Sequence, residues 1–206
     1  AGSISSGSEI YWIDALPENN YLPDLSIIPE NVLISSVIMY ICSPSNTHGS
    51  VADISNLKKA ILLARKYNFI LAVDECYSDI FRMNKPKPPG ALDAAASLGK
   101  GLENLVIFNS LSKRSNISGM RAGFIAGDEK IIESYKLLVS NGASPVPIPV
   151  QKVAAALYED EEHHFKACLH YDKNFQIVEN YLKPFVNDFK VPAGGFFLWL
   201  KVKDDE

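Results

Sequence analysis

The chain has 206 residues, enough for one large domain or for one domain and part of another. Hydrophobic residues make up 47% of it and charged residues 21%, so a sizeable core can be buried and disorder is excluded. The net charge of -4, a pI near 5.6 and the lack of any Lys/Arg run leave no electrostatic footprint for nucleic acid or an anionic membrane surface.

Three cysteines, Cys42, Cys76 and Cys168, are too few and too widely spaced for a disulfide framework or a paired metal-ligand motif, which fits a reducing cytoplasm. No apolar run approaches the length of a membrane span. The opening Ala1-Gly2-Ser3-Ile4-Ser5-Ser6-Gly7-Ser8 has neither a basic segment nor an apolar one and reads as a loop, not a signal peptide. The last residues, from Lys201 to Glu206, follow directly on an apolar run, and the chain is expected to be cut from something longer.

In chain order, Glu9–Asp14 reads as a short strand before a turn-rich stretch from Pro17 to Pro23. Ser36–Cys42 is continuous and rich in β-branched residues, the pattern of a strand buried on both faces. Ser43-Pro44-Ser45-Asn46-Thr47-His48-Gly49 interrupts it with turn chemistry. Residues 53–66 place Ile54, Leu57, Ala60, Ile61 and Ala64 on one helical face, with Asp53 as N-cap. Phe69–Val73 is a second buried strand ending on Asp74, and Ala91–Leu98 is a short helix. A third strand, Leu105–Phe108, ends at Asn109-Ser110, and Gly123–Gly127 is a short glycine-bounded strand. Helices are expected over Glu129–Ser140, Pro149–Glu159 and Glu161–Phe185, and a final strand over Gly195–Val202. Strands alternating with helices predict an α/β fold with a mostly parallel sheet covered on both faces. The change of pattern near residues 160–185 divides the chain into a large domain over 1–165 and the start of a smaller α+β domain over 166–206.

Ligand sites of open α/β sheets lie outside the C-terminal ends of the strands. Three strand ends carry polar residues: Asn46 after the first, Asp74 and Tyr77 at the second, and Ser110, Ser112 and Lys113 at the third, with Arg121 eight residues beyond Lys113. One rim of the sheet thus gathers an amide, a carboxylate, a phenol, two hydroxyls, a lysine and an arginine. That inventory matches the needs of pyridoxal-phosphate (PLP) chemistry. A lysine amine forms a Schiff base with the aldehyde, and a carboxylate keeps the pyridine nitrogen protonated. A phenol and an amide suit the ring hydroxyl, while hydroxyls and a guanidinium suit the phosphate. Taken singly, each of these residues has an ordinary structural role. His163, His164 and His170 read as part of a solvated, acidic helix start rather than a metal site, and Cys76 as a packing residue.

The run from Ser110-Leu111-Ser112-Lys113-Arg114-Ser115-Asn116 to Gly119-Met120-Arg121-Ala122-Gly123-Phe124 resembles fold-type I, PLP-dependent aminotransferases of class I/II. Val73-Asp74-Glu75-Cys76-Tyr77 and Ser43-Pro44-Ser45-Asn46 fit the same family in the same order. Within it, Ser-Leu-Ser-Lys-Arg-Ser-Asn, Cys-Ser-Pro-Ser-Asn and Pro192-Ala193-Gly194-Gly195-Phe196-Phe197-Leu198-Trp199 are similar to succinyldiaminopimelate aminotransferases. The resemblance implies part of a seven-stranded large domain, with Lys113 as the catalytic Schiff-base lysine and Asp74 at the pyridine nitrogen. It further implies Tyr77 and Asn46 at the ring hydroxyl, and Ser110, Ser112 and Arg121 at the phosphate. The substrates would be an amino acid and a 2-oxo acid, such as N-succinyl-diaminopimelate with 2-oxoglutarate. The Asn141–Pro147 loop would lie near the interface of a homodimer. Thr47 stands where the family usually has proline, and Ser118 where proline is common. No stretch matches the family's N-terminal phosphate loop, its ring-stacking aromatic or its C-terminal carboxylate-binding arginine, so a partial site is expected. The rivals are an aspartate-type aminotransferase, a C–S β-lyase on the same fold, and a PLP-binding effector domain of a transcription regulator.

Overall fold

The computed structural model describes residues 2–99, 101–142, 145–186 and 189–200. The expected elements at Ala1, within 143–144 of the Gly/Pro loop, and at 201–206 lie outside them. The elements run α1 (Gly2–Ser5), α2 (Glu30–Ser35), β1 (Ile38–Cys42), α3 (Ile54–Tyr67), β2 (Ile70–Asp74), α4 (Ala91–Ser97) and β3 (Leu105–Ser110). They continue with α5 (Leu111–Arg114), β4 (Gly123–Gly127), α6 (Glu129–Gly142), α7 (Ile148–Glu159) and α8 (Glu161–Leu182).

The four strands lie in sequence order, β1-β2-β3-β4. The first three are parallel, joined by crossovers that contain α3 and α4, and β4 turns back antiparallel on β3. This is the mixed, mostly parallel sheet that the pattern predicts. α3 shows why the pattern was readable: Leu57, Ala60, Ile61 and Ala64 are buried on its inner face. It starts on Asp53, whose Oδ1 accepts the Asn56 N–H at 2.7 Å, and stops at Asn68 in the left-handed conformation. The core joins these residues to Leu71 and Val73 of β2, Leu105 and Ile107 of β3, and the alanines of α4.

Three expectations are corrected, and one helix is added. Glu9–Asp14 takes no regular secondary structure and forms no ladder with any described strand, and Ile10, Tyr11 and Trp12 are exposed. β1 is not buried on both faces: Met39 and Ile41 point into the core, whereas Ile38 and Tyr40 are exposed. A continuous apolar run reports the hydrophobicity of both faces but not what covers them. Residues 195–200 form no strand, and the nearby pairing is a single antiparallel bridge between Phe81 and Gly194. α2, with Leu33 buried, was not foreseen, because six residues are too few to display a helical period. α8 runs unbroken across residue 165. No described helix is long and apolar enough to cross a membrane.

Candidate active site at the strand ends

The ends of β2 and β3 converge because the two strands are hydrogen-bonded neighbours, with Asp74 opposite Phe108. Asp74 closes β2. Its Oδ1 accepts the Cys76 N–H at 3.0 Å, which turns the chain, and its Oδ2 accepts the Tyr40 hydroxyl at 2.7 Å. Tyr77 follows on the same turn with its ring buried, and burial raises its phenol above the ordinary tyrosine value. At neutral pH it is therefore a donor.

β3 runs into α5 through Ser110. Its Oγ accepts the Ser112 N–H at 3.1 Å and donates to Ser112 Oγ at 2.9 Å. That N-cap sets the first turn and delivers Lys113 to the rim. Lys113 Nζ lies 5.7 Å from the Tyr77 ring centroid and 5.3 Å from that of Phe196, within cation–π reach. Phe196 packs edge-on against Tyr77 at 5.5 Å and stacks on Tyr171 at 5.4 Å, so a C-terminal residue forms part of the lysine's wall. Asp74, Tyr77, Ser110, Ser112 and Lys113 thus come to one rim.

Asn46 is exposed on the turn after β1. That turn is held by a stack of Tyr21 on His48 at 4.2 Å and His48 against Trp199 at 4.5 Å. Burial lowers the His48 pKa, which keeps the stacked imidazole neutral. Gly49 closes the turn with φ +63, and its carbonyl accepts the Gly194 N–H at 3.0 Å. A Cβ at Gly49 would fall on the Gly194 carbonyl oxygen. The cis peptide in this region is Ser43–Pro44. Arg121 is exposed, in the left-handed conformation, and its Nη1 donates to the Ser118 carbonyl at 3.0 Å.

Behind the rim lies a polar layer that sequence motifs did not reveal. Arg114, next to Lys113, is buried. It pairs through Nε with Asp79 at 3.4 Å and through Nη2 with Glu161 at 2.8 Å, and its Nη2 also reaches the Tyr158 carbonyl at 3.2 Å. Lys87 reaches Asp79 from the other side at 3.1 Å. His164 is not solvated as the helix pattern implied. It is buried against the Asp79 carbonyl (2.8 Å), Glu161 Oε2 (3.3 Å) and Cys168 Sγ (3.4 Å). The Cys168 contact, helped by the Asp79 carbonyl and opposed by burial, raises its pKa to about 9. Asn109 accepts from the Tyr158 hydroxyl at 3.0 Å and donates to the Glu75 carbonyl at 3.3 Å. Glu75 Oε1 in turn takes the Ala91 N–H at 2.6 Å and caps α4, and burial raises its carboxyl pKa. The only sequence signal for this layer is a charged residue inside an otherwise apolar or site-bearing run, as at Glu75, Asp79 and Arg114.

The thiols beside Asp74 are poor nucleophiles. Burial raises Cys42 to about 11 and Cys76 to about 12. A broad depression along α3, lined by Asp53, Ser55, Lys58 and Lys59, lies away from the rim and is one outer face of a solvated helix.

A parallel α/β sheet with a lysine on the turn after one strand and a carboxylate at the end of the next defines a lysine-centred ligand site of the fold-type I kind. Residues 6–205 match the family described as aminotransferase class I and II, and the chain belongs to that family. It is 30% identical over 200 residues to LL-diaminopimelate aminotransferase of Dehalococcoides mccartyi, covering 97% of this chain and 50% of that protein. A crystal structure of an aminotransferase from Neisseria meningitidis superposes with a TM-score of 0.91 at 39% identity, over 98% of this chain and 51% of that one. The fold is also shared, at 24% identity and a TM-score of 0.87, with a probable N-succinyldiaminopimelate aminotransferase from Thermus thermophilus, over 99% of this chain and 53% of that one. The chain spans about half the length of the curated relatives it matches.

Members of this family use PLP, and the donor set here fits it. The Asp74 carboxylate is held by two donors and keeps lone pairs for a third. The lysine amine stands among aromatic rings, and two hydroxyls sit at the start of α5.

Proposed function

We propose that this chain is the lysine-bearing portion of a PLP-dependent aminotransferase and that Lys113 is its catalytic residue. The observation that carries the reading is the placement of Lys113 Nζ against Tyr77 and Phe196 on the turn after β3, with Asp74 at the end of the adjacent strand. The cofactor supplies an aldehyde for imine formation and a protonated ring that accepts electrons. Asp74 anchors the ring nitrogen. Tyr77, protonated because buried, donates to the ring oxygen together with Asn46. Ser110, Ser112 and Arg121 take the phosphate. With the cofactor bound, the incoming amino group would displace Lys113 from the imine, and the freed Lys113 Nζ would then be placed to take up and hand back the substrate α-proton, as amino-group transfer between an amino acid and a 2-oxo acid requires.

A diaminopimelate-type donor, N-succinylated or free, with 2-oxoglutarate as acceptor, is the substrate class we favour. Support comes from the Ser-Leu-Ser-Lys-Arg-Ser-Asn run and from the names of the relatives. The work is assigned to a homodimer in the cytoplasm. Residues 1–165 would form the large domain and 166–206 the start of the small one, with α8 crossing from the first into the second.

The test is to add PLP to the chain, reduce with borohydride and map the labelled peptide. A pyridoxyl group on Lys113 is expected, with loss of the visible imine band in Lys113→Ala. A stable adduct on any other lysine sinks the assignment. Pyruvate and ammonia released from a sulfur amino acid would show a β-lyase instead.

A further inference from the structure

Tyr40 belongs to no motif in this sequence. It lies on β1, in register with Ala72 of β2, and Asp74 is the diagonal neighbour two residues further on. Its side chain leaves the core face, where Met39 and Ile41 sit, and crosses to the next strand to donate to Asp74 Oδ2 at 2.7 Å. The Cys76 N–H holds Oδ1 at 3.0 Å. With one donor fixed on each oxygen, the carboxylate has no free rotation. Partial desolvation, with the Asp74 contact second, raises the Tyr40 phenol above its ordinary value, so it remains a donor at neutral pH. Tyr40 is 61% exposed, so its hydroxyl does nothing for the core.

We propose, on the footing of the cofactor site proposed above, that Tyr40 is a positioning residue for the cofactor's ring nitrogen. By holding Asp74 Oδ2, it fixes the carboxylate that must face the pyridinium N–H. It acts only through Asp74. A ring without the nitrogen therefore gains nothing from Tyr40, and this separates positioning from support of the fold.

The experiment compares PLP with its carbocyclic analogue, in which a ring C–H replaces the pyridine nitrogen. Dissociation constants are read from the imine absorbance for the unmodified chain and for Tyr40→Phe. A hydrogen bond to a charged group contributes enough to change binding about tenfold when lost. The dissociation constant of PLP is expected to rise about tenfold in Tyr40→Phe, and that of the analogue to change less than about twofold. An equal loss for both ligands, or no loss for either, overturns the Tyr40 role. In the cofactor-free chain, Tyr40→Phe and Asp74→Ala should lower the unfolding midpoint by less together than the sum of their separate effects. Strict additivity overturns the bond itself. If borohydride fixes no adduct at Lys113 in the unmodified chain, the cofactor reading falls and Tyr40's role with it. If the adduct forms and the two constants keep their ratio in Tyr40→Phe, only the Tyr40 role falls.

Discussion

Lys113 and Arg114 are neighbours with opposite duties. Lys113 faces two aromatic rings at the rim, while Arg114 turns inward to Asp79, Glu161 and two carbonyls of α7. The geometry of a four-residue helix does this, since consecutive side chains point about 100° apart. Arg114 therefore pins the turn that carries the lysine to the loop after β2 and to the start of α8. Replacing it with methionine keeps most of the volume but leaves Asp79 with only Lys87 and the more distant His164, and two carbonyls without their donor. Losing charge-assisted hydrogen bonds to carboxylates that keep solvent or other partners costs about 1 to 2 kcal/mol. We expect Arg114→Met to lose about that much in urea unfolding, and to weaken the Lys113 imine band even where the chain is fully folded. An unchanged unfolding free energy would show that the buried guanidinium is dispensable.

The elements were legible where one physical rule dominated. β2, β3 and α3 read correctly because each is buried on the faces that its apolar residues predict, and α3 carries its own cap in Asp53. β1 was found but its surroundings were not, because hydrophobicity cannot say whether Tyr40 meets solvent, a neighbour or a ligand. The same limit applies to the site. Lys113, Asp74 and Tyr77 sit on motifs with fixed spacing from strand ends. Tyr40, Phe196 and His164 matter through partners 34 to 85 residues away, which no local pattern records. The turn after β1 belongs to this second kind. Its Gly49 has φ +63 and its Cβ position is filled by the Gly194 carbonyl, so the turn and the 192–195 segment close on each other only with glycine there. Gly49→Ala combines a left-handed strain with a backbone collision. It should lower stability by more than about 1 kcal/mol in a denaturant melt. An equally stable Gly49→Ala chain would mean that this closure does not exist in solution.

At the scale of the molecule, the question is what joins the sheet to α8, the helix that leads away from it. The buried apolar residues of α8 are Cys168 and Phe175. The joint is mostly polar: Arg114 to Glu161, Ser115 Oγ with His163 Nε2 at 2.8 Å, the Tyr171 hydroxyl donating to Asn116 at 2.8 Å, and His164 on the Asp79 carbonyl. Around His164 stand Glu161 and Cys168 on its own helix, Asp79 on the loop after β2, and the Arg114 cation held on the same two carboxylates. Folding raises the His164 pKa from 6.5 to about 9, so the folded state holds this proton more tightly than the unfolded chain. The stabilisation is complete below about pH 6.5, where both states carry the proton. It shrinks as pH rises and is gone once pH passes through about 9, where the folded imidazole also deprotonates. Stability should therefore fall between about pH 7 and pH 10, and the fall should be shallower in His164→Gln, whose amide can still donate to the Asp79 carbonyl. Urea midpoints of both chains at about pH 6.5 and pH 10 test this: the gap between them should be wide at the lower pH and narrow at the higher. Because the joint holds both Arg114 and the Asn116 turn, the Phe196 contact with Lys113 should loosen over the same interval, and tryptophan fluorescence from Trp199, next to that segment, should report it. A gap that stays constant with pH would take the His164 proton out of the joint.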